Sequence, residues 1–533
     1  MLCHYSTVIT PASTLFYTFL KISLLRNDDP RNERLCVTSL TRMELVLALD
    51  AGTSGVRAVA FDRAARVVDT AYRELTQFFP HPGEVEHDAA QITDLAVATL
   101  REVGSRARLA GHQIVALGIT NQRETTVAFD RDSGRLAHRA LVWQDRRTAL
   151  DCAAFEAAGH GPLVRSTTGL VLDSYFSATK MRWFLREHLM DDLLAPSFAT
   201  VDTWLVWSLT GGVDGGVFVT EPSNASRTML MDLETLDWSP AMCSLFGVDQ
   251  SMLADIRPST TNFGVVSAEV IPELAGVPIT GVLGDQQAAL FGQACFHPGV
   301  VKATYGTGAF ILANVGDRSP GVFDGLVTSV AWDLGAFGPA TYAVEGSAFV
   351  AGAAVQWLRD ELNFFEQTSQ LEALATSVPD SAGVQFVPAF TGLGSPFWRS
   401  EARGAITGLS RGSGRAQIAR ALVEALAYQV RAMTDAFAKG GIALSEIRAD
   451  GGAAAMDLLM QLQATNSRVV VLRSRSLEAT ARGAATVAGL EIGLWGSLDE
   501  IAAMWEYDRR FEPTDSTFED LGYQSWSRAV ERA

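Results

Sequence analysis

The chain is poor in the residues that build covalent frameworks and metal cages. It has five cysteines and eight histidines in 533 residues. Cys3, Cys36, Cys152, Cys243 and Cys295 are odd in number and scattered, so they read as reduced thiols of a cytoplasmic protein rather than a disulfide scaffold. No histidine pairs with a cysteine or another histidine at ligand spacing, which argues against a transition-metal site. Positive charge is also scarce. With 43 Lys and Arg against 60 Asp and Glu the formal charge is -17, and nucleic acid or an anionic membrane is an unsuitable partner. No Gly-x-x-x-x-Gly-Lys-Ser/Thr pattern is present, which excludes a P-loop. Long apolar runs are missing too. The run Thr14–Leu20 lacks a preceding basic residue, is cut short by Lys21, and is too brief to span a bilayer.

What is present suits large cores: 48% of residues are hydrophobic and 19% charged. A chain of this length exceeds one core, so two large domains with a cleft between them are expected. The reading divides the chain into an extension over 1–42, a first domain over 43–296, a second over 297–510 and a tail over 511–533. The turn-rich Phe296-His297-Pro298-Gly299 marks the boundary.

One plan recurs, an apolar strand ending in a polar, glycine-rich turn. Leu45–Leu49, the turn Asp50-Ala51-Gly52-Thr53-Ser54-Gly55 and Val56–Asp62 predict a hairpin, and Val300–Thr304, Tyr305-Gly306-Thr307-Gly308 and Ala309–Ala313 predict another. Ile279–Leu283 predicts a buried strand, with Asp285 where it meets a helix, and Ile447–Asp450 with Gly451-Gly452 repeats that arrangement before a helix over Met456–Thr465. A long helix from about Ala416 to Ala438 would bury Ile418, Leu422, Leu426, Met433 and Phe437. Together these elements imply α/β domains.

Phosphate held by a turn needs exposed backbone N–H groups, which glycine and small residues allow. The first turn supplies them, Thr53 and Ser54 add hydroxyls, Arg57 adds fixed charge, and Asp50 is a candidate for Mg²⁺, probably through water. An ordinary hairpin turn is the plain alternative. Asp285 is the candidate general base for phosphoryl transfer to an alcohol, against the alternative of a helix N-cap. Arg123 and Glu124 offer donors and acceptors to vicinal hydroxyls, unless they form a mere surface ion pair. Trp143 and Tyr175 sit in polar contexts and suit the C–H face of a polyol, though most tryptophans are core or rim residues.

In order, Asp50–Arg57, Asn121–Thr126, Val142-Trp143-Gln144, Tyr175–Lys180, Gly284–Gln293 and Tyr305–Gly308 resemble the FGGY carbohydrate kinase family, over about Met43 to Gly496. The resemblance implies an α/β fold of two domains of the actin/hexokinase/Hsp70-type (ribonuclease H-like) ATPase kind with an interdomain cleft. It implies ATP-dependent phosphorylation of glycerol to sn-glycerol 3-phosphate, with erythritol or xylulose as alternative acceptors and a non-catalytic nucleotide-binding relative as a more distant one. Carried onto this chain, the polyol meets Arg123, Glu124, Trp143, Tyr175, Asp285, Gln286 and Phe310, with Asp285 as base. ATP meets Thr53, Ser54, Gly55 and Arg57 on one domain and Thr307, Gly352, Gln356, Gly452 and the Met456 position on the other. Mg²⁺ is implied at Asp50 and Asp285, and a homodimer or homotetramer as the assembly. Three positions depart from the family. Ala51 and Ser54-Gly55-Val56 lean toward the xylulose-phosphorylating branch, Met456 stands where asparagine commonly approaches the nucleotide, and Glu234 occupies the place of a regulatory histidine.

Overall fold

The computed structural model describes residues 42–515 and 517–533. Residues 1–41 lie outside it, and with them the Thr14–Leu20 run, Cys3 and Cys36. The described residues form one compact unit built around two large sheets.

The first sheet uses β1 (Glu44–Ala51), β2 (Gly55–Phe61), β3 (Val67–Glu74), then α1 (Ala89–Leu109), β4 (Gln113–Asn121), β5 (Thr260–Val265), β6 (Pro278–Gly284) and α2 (Asp285–Gly292). Its strand order is β5-β6-β4-β1-β2-β3. The hairpin β1–β2–β3 is antiparallel, and β4 and β6 join β1 in parallel, so the carboxyl ends of β1, β4 and β6 lie together. Those three ends carry Asp50, Asn121 and Gly284. Helix α1 can start where it does because the Asp88 carboxylate accepts the Ala90 and Gln91 amides, and Arg106 and Arg108 in its last turn complement its dipole.

The second sheet repeats the plan. It uses β7 (Val300–Tyr305), β8 (Ala309–Gly316), β9 (Val327–Trp332), β10 (Thr341–Ala348), α3 (Gly352–Asp360), α4 (Arg415–Lys439), β11 (Glu446–Asp450), α5 (Asp457–Ser467), β12 (Val470–Ser474), α6 (Ala479–Glu491), β13 (Tyr507–Phe511) and α7 (Thr517–Arg532). The order is β9-β10-β8-β7-β11-β12-β13, with β7–β8–β10 antiparallel and β11 and β12 parallel to β7. Three antiparallel strands continued by parallel ones, used twice, are the actin/hexokinase-like duplication expected from the sequence. Both predicted hairpins, the Asp285 strand-to-helix junction and the long helix form close to their predicted bounds.

Alternation of side chains buries both faces of each sheet. On β1, Leu45, Leu47 and Leu49 pack against α1 and the helix Val201–Thr210, while Val46 and Ala48 face α2 and α6. On the second sheet Val301, Ala303 and Tyr305 face α4 and α5, and Val300 and Leu312 face the same central helix pair. Helices α2 and α6 therefore fill the layer between the sheets. Helix α6 comes from the segment assigned by sequence to the second domain, yet it lies on β4 and β6 of the first sheet. It gets that close through glycine: a Cβ at Gly118 would stand 2.1 Å from the Ala484 carbonyl oxygen, and one at Gly483 would stand 1.8 Å from that of Ala288.

Residues 511–533, expected as a tail, instead end in α7. Its Trp526 is fully buried, donates to the Phe386 carbonyl at 2.9 Å and stacks on Tyr523. Among the described residues no helix is long and apolar enough to cross a membrane.

Replacing glycine by alanine in an exposed helix normally stabilises by about 1 kcal/mol. At Gly483 the backbone contact reverses that sign, so Gly483→Ala should lower the thermal midpoint, by the roughly 1–3 kcal/mol typical of overpacking. Gly412→Ala, in open surroundings, should leave it within error in the same calorimetric scan.

Candidate active site

Asp285 is the first residue of α2 and Gly284 is its cap, so the carboxylate is not spent as an N-cap. Its Oδ1 accepts the Gln286 amide at 2.7 Å and lies 3.2 Å from Arg123 Nε. Burial pushes the Asp285 carboxyl up, while the Arg123 and Lys302 cations work against that rise.

Arg123 and Glu124 are no surface ion pair, since each residue is 2% exposed. Arg123 donates to both oxygens of Glu345, at 2.6 and 3.1 Å, and to the Tyr175 hydroxyl at 3.4 Å. Arg227 donates to Glu124 at 2.6 Å and to Glu345 at 3.2 Å. Ser347 donates to the same Glu345 carboxylate at 2.8 Å. Burial opposes the charge on Glu345, but the two guanidinium groups overcome it and hold the carboxyl down at about 2. Glu124 goes the other way, raised by burial against the pull of Arg123 and Arg227.

Glu124 also has a left-handed backbone, with φ +63. That conformation is unusual for a residue with a side chain, and such strain gathers at functional sites. It persists because the peptide is over-determined: the Glu124 carbonyl accepts Ser177 Oγ at 2.9 Å and Thr126 Oγ1 at 3.2 Å, and the Arg227 contact fixes the side chain.

Aromatic rings close one side of this polar group. The Trp143 ring lies 5.6 Å from that of Tyr175 and 6.3 Å from that of Phe310, both edge to face. Trp143 Nε1 donates to Thr53 Oγ1 at 2.9 Å, which ties this wall to the first hairpin turn. Lys180 supports Tyr175 from behind, its buried ammonium donating to the carbonyls of Ser174, Tyr175 and Phe176.

The two glycine-rich turns have their own supports. The Gly52 amide donates to the Gly55 carbonyl at 3.0 Å, and Gln122 Nε2 reaches the Gly52 carbonyl at 3.2 Å. In the second turn the Gly306 carbonyl accepts the Gly352 amide at 2.9 Å and the Thr307 carbonyl accepts that of Ala351 at 2.8 Å, so this turn and the start of α3 are one piece. Gly451 passes so near Tyr305 that a Cβ would stand 2.5 Å from its carbonyl oxygen, whereas Gly452 faces open space. A cavity of about 300 Å³ lies beside this turn, lined by Asp450, Gly451, Ala454, Ala455 and Arg473 among others.

Four more of the expected residues have the following surroundings. Arg57 already holds both oxygens of Glu478, at 2.5 and 2.7 Å, so its charge is met from the start of α6. Met456 packs into the hydrophobic core of the second sheet. Gln356 is exposed on α3. Asp50 ends β1 opposite Arg57, and burial, with Asp285 and Glu478 adding repulsion, pushes its carboxyl up to about 7.

Glu345, Arg227, Lys302 and Glu478 do not stand out in the sequence as site residues. The ion-pair partners of Glu345, Arg227 and Glu478 lie far away in sequence, and the one local signal is charge within apolar strands, as in Val300-Val301-Lys302 and Ala343-Val344-Glu345.

A recessed carboxylate at a strand end, a polar pocket walled by aromatics and a glycine-rich turn on each large sheet are the parts of a cleft phosphotransferase. Residues 45–292 match the model of the FGGY family of carbohydrate kinases, N-terminal domain, and residues 301–492 match that of its C-terminal domain. The chain belongs to the FGGY family of carbohydrate kinases. It is 48% identical over 498 residues to the glycerol kinase of Stenotrophomonas maltophilia (strain R551-3), covering 91% of this chain and 97% of that protein. With the glycerol kinase of Bordetella parapertussis it shares 49% over 503 residues, 92% and 97% of the two chains. Among solved structures, Plasmodium falciparum glycerol kinase with ADP superposes with a TM-score of 0.84 at 33% identity, covering 92% of this chain and 98% of that one.

Removing the charge of Glu345 leaves two buried guanidinium groups short of a carboxylate, and breaking such a pair costs about 3–5 kcal/mol. Glu345→Gln should therefore lower the denaturant midpoint sharply. Asp360→Asn, which removes an exposed pair with Arg359, should leave it within error in the same titration.

Proposed function

We propose that this chain is a glycerol kinase, transferring the γ-phosphoryl group of ATP to a terminal hydroxyl of glycerol to give sn-glycerol 3-phosphate. The observation that carries the reading is the buried Arg123–Glu124 pair, set 3.2 Å from the Asp285 carboxylate by way of Arg123 Nε and roofed by Trp143, Tyr175 and Phe310. The pair supplies donors and an acceptor for vicinal hydroxyls, and the rings supply a surface for C–H groups. A pocket built to hydrogen-bond hydroxyls discriminates strongly against analogues that lack them.

In the proposed reaction Asp285 is the general base. Its Oδ1 is occupied by the Gln286 amide and Arg123, which leaves Oδ2 to take the proton of the attacking hydroxyl. The hydroxyl oxygen bonds to the γ-phosphorus, the bond from that phosphorus to the bridging oxygen breaks, and ADP leaves with the electron pair. Thr53, Ser54 and Gly55 on one side, and Thr307 and Gly452 on the other, present backbone amides and hydroxyls to the phosphates, and Gly352, its amide bonded to the Gly306 carbonyl, holds the second turn in place. Arg57 contributes once it exchanges Glu478 for a phosphate oxygen.

The donor set fits Mg²⁺. Mg²⁺ usually takes one or two carboxylates and fills the rest of its shell with phosphate and water. Asp50 and Asp285 are such a pair, two recessed carboxylates that repel one another and lack full neutralisation. Bound there through water, the ion would neutralise charge on the phosphates. Reduced Cys152, Cys243 and Cys295, all buried, suit a cytoplasmic enzyme, and a homodimer or homotetramer is the assembly we infer.

A coupled ADP-release assay with Mg-ATP and glycerol, erythritol or D-xylulose tests the reading. Glycerol should give by far the highest kcat/KM, and Asp285→Asn should lower turnover by about 10²–10⁴-fold, the range for loss of a general base. A different preferred acceptor would overturn glycerol while sparing the mechanism. The base must be ionised, and burial raises its pKa, so kcat/KM should fall with decreasing pH through a value above the ordinary 3.8 of an aspartate. An acid limb at or below that value would rule out Asp285 as the base.

A further inference from the structure

Lys302 lies on β7 with no exposed surface. A buried ammonium is normally matched by a carboxylate contact, because its desolvation is expensive. Among the described residues Lys302 forms no ion pair. Its hydrogen bonds go to neutral oxygens, Gln286 Oε1 and Thr304 Oγ1, the latter at 3.1 Å. Burial draws the ammonium down to about 8 while Asp450, Asp285 and Glu345 act from a distance to keep it charged.

The choice of Gln286 as partner has a chemical consequence. A glutamine amide carries an acceptor and a donor of nearly equal shape, and a half-turn exchanges them. An ammonium has only donors, so it accepts just one of the two orientations, oxygen inward. The NH₂ group of Gln286 must then point away from β7. Gln286 follows Asp285 at the start of α2, and Lys302 bonds the Gln286 oxygen while its charge also acts on the Asp285 carboxylate.

We propose that Lys302 is a positioning residue for the polyol, locking the Gln286 side chain so that its NH₂ group, and never its oxygen, meets a substrate hydroxyl. Lys302 thereby makes one strand of the second sheet responsible for the polarity of a contact on the first. The inference rests on the polyol-kinase reading above, and it commits to a donor where that reading requires only a contact.

Steady-state kinetics of Lys302→Met, Gln286→Ala and the double variant test it, each with glycerol and Mg-ATP varied in turn. Lys302→Met should raise the KM for glycerol roughly tenfold and leave that for ATP within about twofold. The double variant should be no worse than Gln286→Ala alone, because both changes remove the same contact. Effects that multiply, or a KM for ATP that rises as much as that for glycerol, would overturn the proposal. Gln286→Glu gives a second test that leaves Lys302 in place. The new carboxylate keeps an oxygen on the ammonium but replaces the donor with another oxygen, so the KM for glycerol should rise as it does in Gln286→Ala. A Gln286→Glu enzyme with the native KM for glycerol would sink the idea whatever Lys302→Met does. Failure of the glycerol reading itself would be seen separately, in the substrate preference of the unaltered chain.

Discussion

The molecule is organised around a buried charge cluster that neither sheet completes alone. Arg123, Glu124 and Asp285 come from the ends of β4 and β6, Arg227 from the loop after the short helix Pro222–Ala225, and Glu345 from β10 on the second sheet. All but Asp285 are at most 2% exposed. Burying charges at this depth is expensive, and packed hydrophobic side chains in the same volume are often at least as stabilising. Stability therefore does not account for the cluster. Its value is that Glu345 fixes both terminal nitrogens of Arg123, and Arg123 fixes the pocket and tempers the carboxylate of Asp285. A pocket of this kind exists only when the two sheets are docked.

The same cluster divides its carboxylates by role. Glu345, held by two guanidinium groups, stays anionic at any relevant pH. Asp285, with one guanidinium contact and partial access to the cleft, is left more basic than an ordinary aspartate. Two acids thus diverge through unequal neutralisation, which sets a strongly held charge beside a more basic carboxylate. The strained Glu124 backbone belongs to this arrangement, since it turns the Arg123 and Glu124 side chains into one space from adjacent positions.

Local features were legible in the sequence and distant pairings were not. The two hairpins, the Asp285 junction and the Arg123–Glu124 pair follow from glycine turns, strand periodicity and charges abutting apolar runs. Glu345, Arg227 and Glu478 do not stand out, because what gives each its meaning lies far off in sequence, as with Arg57 and Glu478, and Lys302 does not because its burial appears only in the fold. The Met456 departure was read at the nucleotide. In the fold it is a core side chain at the cap of α5 that makes no capping hydrogen bond, and Glu372 from a neighbouring helix accepts the Leu458 amide in its stead at 2.7 Å. The boundary drawn at Phe296–Gly299 marks where the second sheet begins, but the chain does not respect it afterward, since α6 returns to the first.

That return bears on how the protein is made. The inner face of the first sheet, with Val46, Ala48, Ala116 and Leu283, is covered by Ala481, Ala484, Ala485 and Ala488 of α6. Its last strand, β6, ends at Gly284, while α6 ends at Glu491. At about 5–20 residues per second, the ribosome needs tens of seconds or less to supply the missing helix. Throughout that interval the part of the sheet face that α6 covers stays open to water in the nascent first half, with α2 alone laid over it.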